Sequence, residues 1–428
     1  MARLEYIDFT PHQLSTSGEA VTWSPDTSAK VVVSLPQLYW SDCKPWREAN
    51  IWARNRITNR EVEVETVQSD FSSLLIYANW LEESKTSWLN FPMKRSDRCL
   101  VRFRGWLIDQ RDSGTLSPSN TSKCMRCAVK LYRWFYEIGM LRTEYPAWAN
   151  VLVPIRIADS VGFERTITVT STDLKISNRK APGDQLEDGL LPISTVDREL
   201  ILSFAQEYSS KEVFLILSLG FFTGMRLQTI ASLKIQTLER AVAHQQIPEM
   251  YLLAVGPGAV PPVSTKFGVT GHILIHRLLL DELRKYVYGI QRLQREAKAN
   301  KANRDLVFLT RYGNPYARDG SDKSTAMNVE MARLRRLGRA AGIKALHVFK
   351  FHQSRCTFGT EAASIAIKAN GNVNPISIVK DLLLHQKEAT AYRYVKFVQK
   401  THVKIEVANE FSQALMGVIN RKPLPDAR

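Results

Sequence analysis

The sequence predicts a mainly helical protein with a small β component, an α+β chain with two main domains behind an N-terminal extension. Three observations carry this. From about Val67 to Leu141 apolar residues recur with helical period. Between Ala149 and about Leu191 that period is lost in a stretch rich in turn formers and charge. Helices then resume on both sides of a hairpin-like segment, "PPVSTKFGVTGHILIHRLLLDEL". A hydrophobic fraction of 44% is that of an ordinary globular chain, and 428 residues suffice for two or three domains with a substantial core. There is no internal repeat and no low-complexity tract.

The first sixty-odd residues mix turn formers with short strand-like pieces such as "KVVVSL" and a helical piece, "WREANIWARNR". Three helical runs follow: "DFSSLLIYANWLEE", "SDRCLVRFRGWLIDQ" and "SNTSKCMRCAVKLYRWFYEIGML". In the last, "SPSN" supplies capping residue types and Gly139 falls where the helix should end. Arg98, Arg102, Arg104, Lys123, Arg126, Lys130 and Arg133 interleave with Trp, Phe and Tyr across these runs. They read equally well as the solvated face of a bundle and as a face that holds a phosphate backbone. The segment "SNRKAPGDQLEDG" reads as an interdomain linker with some strand before it, and "ISTVDRELILSFAQEY" restarts helix with Ser or Thr as cap.

The charge narrows the partners. With 58 Lys+Arg against 42 Asp+Glu the chain carries +16, which favours a polyanion, nucleic acid before a membrane surface. No apolar run is long enough to cross a bilayer and the start lacks the apolar stretch of a secretory signal, so a cytoplasmic protein with no membrane role is expected. Five cysteines do not form a disulfide framework. Cys124 and Cys127 make a CxxC, but it lies on a helical pattern with no second ligand pair, so buried thiols are expected and no metal site.

In the second half, residue types suited to phosphate chemistry stand at four separated places. "FFTGMRLQTIASLKI" puts Arg226 after a Thr-Gly turn, and the hairpin carries Lys266. "HVFKFHQSRCTFGTEAA" contains His352 and Arg355, and "LLLHQKEATAYRYVKF" contains His385, Tyr392 and Tyr394. This ordered series, with "LVFLTRYGNPY" and "NVEMARLRRLGRAAGI" between its members, resembles the tyrosine recombinase (phage integrase) family. The resemblance spans about residues 193–411, and more loosely the helical segment before it. Each motif alone is weak; the four in order are specific.

The resemblance implies a DNA breaking-rejoining domain over residues 191–412 and a core-binding DNA-binding domain over 65–150, closing as a C-shaped clamp around DNA. Residues 1–64 form an extension without assigned chemistry, 151–190 a linker and 413–428 a tail. It implies a site-specific DNA recombinase or integrase of a mobile element or phage. The nucleophile would be Tyr394, which stands nine residues after His385 as the family's tyrosine does; Tyr392 comes too early and is expected as buried packing. Thr390 could cap the tyrosine's helix. A phenol suits reversible transesterification because, with a pKa of about 10, it is a better leaving group than an alcohol. Arg226 and Arg355 would grip the phosphate oxygens. Lys266 would protonate the departing 5′ oxygen, His352 would assist proton movement at the tyrosine, and His385 would bond a non-bridging oxygen. The intermediate would be a 3′-phosphotyrosine needing no cofactor, ATP or metal, and the chain has no G-x-x-x-x-G-K-[ST] loop.

Two positions depart from the family pattern. Thr229 stands where an acid is usual, three after the first arginine, and Leu384 stands where glycine is usual, before the second histidine. Beyond Tyr394, Val403, Ile405, Val407, Ala408, Phe411, Leu415, Val418 and Ile419 make an apolar stripe that would dock on its own domain or, as in the family, on a neighbouring protomer. Expected partners are duplex recombination sites, further copies of the chain in a tetrameric synapse, and accessory DNA-bending or directionality factors. The rival readings are a type IB topoisomerase and a DNA-binding protein that keeps the scaffold without catalysis.

Overall fold

The computed structural model describes residues 1–17, 20–29, 31–59, 62–158, 164–177, 186–317, 324–369 and 374–419. Most of the linker segment around Ala181 and the last residues of the tail lie outside the described residues. Contacts divide the chain into two compact units, Met1–Pro182 and Gly183–Arg428.

In the first unit β1 (Arg3–Phe9), β2 (His12–Ser17), β3 (Ala20–Pro25) and β4 (Val32–Tyr39) form two antiparallel pairs, β1 with β4 and β2 with β3. Four helices follow: α1 (Arg47–Thr58), α2 (Val64–Glu83), α3 (Cys99–Asp112) and α4 (Pro118–Glu137). Leu35 and Leu38 of β4 are buried with Trp46, Phe71, Tyr77, Phe103, Tyr132 and Phe135, so β4 flanks the same core as the helices. The buried phenols keep their polar ends satisfied. Tyr77 and Tyr132 hydroxyls lie 2.7 Å apart, and Tyr132 donates to the Trp88 carbonyl at 2.6 Å. Arg56 and Asp70 form a buried pair at 2.6 Å.

Helix α4 starts as its sequence predicts. The Ser117 side chain accepts from the Asn120 amide, Pro118 occupies the first turn, and Gly139 leaves the helix with φ +69°. Cys124 and Cys127 both point into the core of this unit. After it, β5 (Asn150–Ala158) and β6 (Glu164–Thr172) form a regular antiparallel hairpin, built from the β-branched alternation of "NVLVPIRIA" and "ERTITVTST".

In the second unit, α5 (Thr195–Tyr208) begins under a Ser194 cap and α6 (Lys211–Thr223) under a Ser210 cap. Val213, Leu215, Ile216, Leu217, Leu219 and Phe221 are all buried, so α6 is apolar on nearly every face and runs through the middle of the core. The short helices α7 (Leu227–Ala231) and α8 (Ile235–Glu239) lead to a three-stranded antiparallel sheet in the order β7 (Val242–Ala243), β8 (Met250–Val255), β9 (Gly271–His276). Helices α9 (Arg277–Val287) and α11 (Thr325–Ala340) complete that core, while α10 (Ile290–Glu296), between them in the chain, buries only Arg292. A second cluster joins α12 (His352–Lys368), α13 (Pro375–Leu382) and α14 (Glu388–Ile419) through Cys356, Ala363, Val379, Leu383, Ala391, Tyr394, Val395 and Val398, with Leu186 packed into it.

Helix α14 is longer than its packing. Every side chain over residues 401–413 is exposed, including Val403, Val407 and Phe411, which share a face, Ala408, and Ile405 on another face. The side chains of Leu415, Val418 and Ile419 lie outside the described residues. Docking of the tail on its own domain, one of the two expectations, is therefore not what residues 401–413 do. No described helix is long and apolar enough to cross a membrane.

Candidate active site

Four chain turns bring the charged groups together. Helix α6 ends at Gly224, whose φ of +66° an L side chain rarely adopts; a Cβ there would also lie 2.5 Å from the Phe358 ring and 2.6 Å from Leu383. The tight turn sets Arg226 at the start of α7. Arg355 lies in the first turn of α12 and is only 2% exposed. Its Nη1 donates to the Gly224 carbonyl at 2.6 Å and its Nη2 to the Leu383 carbonyl at 2.9 Å. One guanidinium thus ties the turn that carries Arg226 to the turn that carries His385.

His352 opens α12, and His385 follows α13. Between α13 and His385, Leu384 takes φ +48°, so this position asks for glycine and holds leucine. Gly271 of β9 makes the room: a Cβ there would lie 2.6 Å from Leu384 Cδ2.

These groups converge on a residue that sequence reasoning passed over. Glu187, on a three-residue 3₁₀ turn in the linker, is 11% exposed at its side chain. Its Oε2 lies 3.0 Å from Arg226 Nη2 and 3.5 Å from His352 Nε2. Its Oε1 accepts from His385 Nε2 at 2.6 Å and from the Tyr394 hydroxyl at 3.2 Å, and lies 3.4 Å from Arg355 Nε. Nothing in "QLEDG" marks this glutamate among other linker acids.

The electrostatics follow from that cluster. Burial opposes ionisation of Glu187, but hydrogen bonds from His352 and His385 and the charges of Arg355 and Arg226 outweigh it and hold the carboxyl well below the carboxylate range. Burial, with Arg355 close by, pushes the His385 imidazole down despite the bond to Glu187. Burial and then the Glu187 charge raise the Tyr394 phenol well above its ordinary value, against the pull of Arg355. Burial and the neighbouring Arg226 lower Arg355.

The two tyrosines separate cleanly. Tyr394 is 0% exposed and reaches the cluster, whereas Tyr392 is 45% exposed with Lys396 Nζ 5.7 Å from its ring centroid. Tyr392 is thus a surface residue and not the buried packing that was expected. Thr390 does not cap the helix, which already begins at Glu388. Lys266 stands on the loop between β8 and β9, exposed, and lines a small cavity with Arg226, Thr229, Arg355 and Leu384; among the described residues it makes no ion pair with Glu187. Thr229 is buried on α7 beside the same cavity and brings no charge to it.

The basic residues of the first unit divide. Arg98 is buried and donates to the carbonyls of Pro92, Met93 and Pro146, so its guanidinium holds a loop and is not offered to a ligand. Arg102 bonds Thr86 at 2.8 Å, Lys123 bonds Ser69 at 2.5 Å, and Arg104 is half-buried. Arg126, Lys130 and Arg133 are exposed along α4, with Lys130 3.5 Å from Asp70.

No family model matches the chain, and no curated protein matches it. Solved structures do. The Tn1549 transposon integrase in complex with a circular intermediate DNA superposes with a TM-score of 0.50 at 12% identity, over 84% of this chain and 99% of that one. A lambda integrase dimer bound to a COC′ core site gives 0.47 at 14% identity, over 82% and 93%. A lambda integrase tetramer bound to a Holliday junction gives 0.45 at 12%, over 81% and 75%. At such identities the likeness is one of fold. The chain carries the tyrosine recombinase fold, helix-rich with small sheets, as its sequence motifs predict.

Proposed function

We propose that this protein is a site-specific DNA recombinase that cleaves and rejoins duplex DNA through Tyr394. One observation carries the reading: Arg226, His352, Arg355, His385 and Tyr394, drawn from three separate sequence regions, surround one buried anion. Where that carboxylate sits, a phosphodiester would meet two guanidiniums, two imidazoles and a phenol. The Tyr394 hydroxyl passes its proton to His352 as its oxygen attacks phosphorus, a 3′-phosphotyrosine forms, and the 5′ oxygen leaves with a proton from Lys266; the reverse transfers accompany rejoining. The 5′ hydroxyl of a second strand then attacks the phosphotyrosine, reforming the diester and returning the phenol. Two fixed cations stabilise the charge that gathers on the equatorial oxygens, usually the largest catalytic term.

In this reading Arg102, Arg104, Lys123, Arg126, Lys130 and Arg133 are the sequence's candidates for backbone contacts, with the exposed stripe on α4 the strongest. The apolar end of α14 points to assembly between copies on DNA, which favours a recombinase over a topoisomerase that works on one duplex. The test is incubation of the full chain with the DNA flanking its own gene, as nicked duplexes that trap covalent complexes. A trapped band lost in Tyr394→Phe is expected; no band on any such duplex would overturn the reading.

A further inference from the structure

The carboxylate of Glu187 is seated among the very groups that the proposed chemistry assigns to the scissile phosphate. Both are singly charged anions with two oxygens to offer. Glu187 uses them on Arg226, His352, Arg355, His385 and the Tyr394 hydroxyl together. A phosphate cannot enter while it stays, because the 3.2 Å from Tyr394 to Oε1 is the space in which attack would occur, and two buried anions would repel. The seat also keeps unused donor capacity: Arg226 Nε is buried with no acceptor among the described residues. That fits a pocket shaped for an anion larger than a carboxylate.

The glutamate is delivered from outside the helices that build the site. Its turn is three residues long and is anchored by Leu186, which is buried against Cys356, Leu383 and Tyr394, and by the Leu186 amide on the Leu190 carbonyl at 3.0 Å. The contacts joining it to the site are ionic and hydrogen-bonding ones that an incoming phosphodiester can replace one for one. We infer that Glu187 is an internal phosphate mimic, a plug that holds the cleavage site closed until DNA displaces it. This rests on the recombinase reading for its consequence, but not for the anion seat itself.

The full-length protein, Glu187→Gln and Glu187→Asp separate the possibilities, with inorganic phosphate as probe at constant ionic strength. Calorimetry and thermal shift should show phosphate binding to Glu187→Gln about tenfold more tightly than to the wild type. Glu187→Asp, with its carboxylate drawn back by one methylene, should fall between. On nicked duplexes Glu187→Gln should trap covalent complex about tenfold faster, the gain expected of a seat otherwise closed nine parts in ten. In the wild type, where no substitution can disturb folding, amide exchange over residues 186–190 should speed when duplex DNA is added. Equal phosphate affinity in wild type and Glu187→Gln would overturn the plug. So would loss of trapping in Glu187→Gln, which would make Glu187 a positioning residue standing in for the acid absent at Thr229. Gained phosphate binding with no trapping by any variant would leave the plug standing and overturn the recombinase reading.

Discussion

The ring of Tyr394 lies directly over Gly359: a Cβ added at position 359 would come 2.5 Å from Tyr394 Cε1 and 2.7 Å from Cδ1. Gly359 sits in the middle of α12, two helical turns from His352 and one from Arg355, so the helix that supplies two of the charged groups also sets how deep the phenol goes. Glycine in a helix interior is costly in itself, by about 1 kcal/mol against alanine. Here close approach of α14 explains it.

Gly359→Ala should therefore act on the phenol's position more than on the fold. Overpacking of this kind costs about 1–3 kcal/mol of stability, while a displacement of about 1 Å can lower a reaction rate about 10²-fold. The expected outcome is a folded protein by circular dichroism whose covalent trapping is depressed. Unchanged trapping would mean that the ring's seat against Gly359 does not govern reactivity.

Tyr394→Phe should abolish the covalent protein–DNA complex and leave DNA binding largely intact, whereas Tyr392→Phe should keep cleaving. The basis is the burial of one ring beside two guanidiniums and the exposure of the other. The opposite pattern in a trapping assay would reassign the nucleophile.

Lys266→Ala should slow cleavage of an ordinary duplex by about 10²-fold or more, as expected of a lost general acid. A duplex with sulfur at the bridging 5′ position leaves without protonation and should recover most of the rate. Lys266 is exposed on its loop and lines the small cavity that Arg226 and Arg355 also line. Equal defects on both duplexes would leave it as a phosphate contact.

Acid should destabilise the site in two stages. His385 is held below its ordinary 6.5, so the unfolded chain takes up a proton that the folded one refuses, and stability falls as pH drops below about 6.5. Glu187 is held below its ordinary 4.5, so its contribution is present above that value and is lost as pH falls further. Melting temperatures from pH 7 to pH 3 should decline through both ranges, and Glu187→Gln should make the lower decline shallower. A lower limb unchanged by that substitution would contradict the ion cluster.

Truncation after residue 400 should leave a folded protein that binds a single site, because side chains over residues 401–413 are exposed. It should fail to bring two duplexes together, since the face of Val403, Val407 and Phe411 would be gone. Gel shifts with one and with two duplexes decide this, and normal synapsis by the truncated chain would show that the tail has no role in assembly.

The sequence by itself determined the helix-rich class and the order of the motifs. Those are local matters of period, capping and offset: Ser117, Pro118 and Gly139 bound α4 within one stretch of chain. Tertiary structure decided which charges are available. Arg98 looked like its basic neighbours, yet two carbonyls of the loop just before it and the Pro146 carbonyl 48 residues on consume it. The tail's apolar stripe was legible, but its lack of a cover within the described chain was not. Glu187 was invisible. Its partners Arg355 and Tyr394 lie 168 and 207 residues away, and no local pattern records that a turn in a linker will enter a pocket assembled so far along the chain. Periodicity shows which face a residue shares with its neighbours, while the site an ionisable group enters is set by long-range packing that balances desolvation against opposite charge.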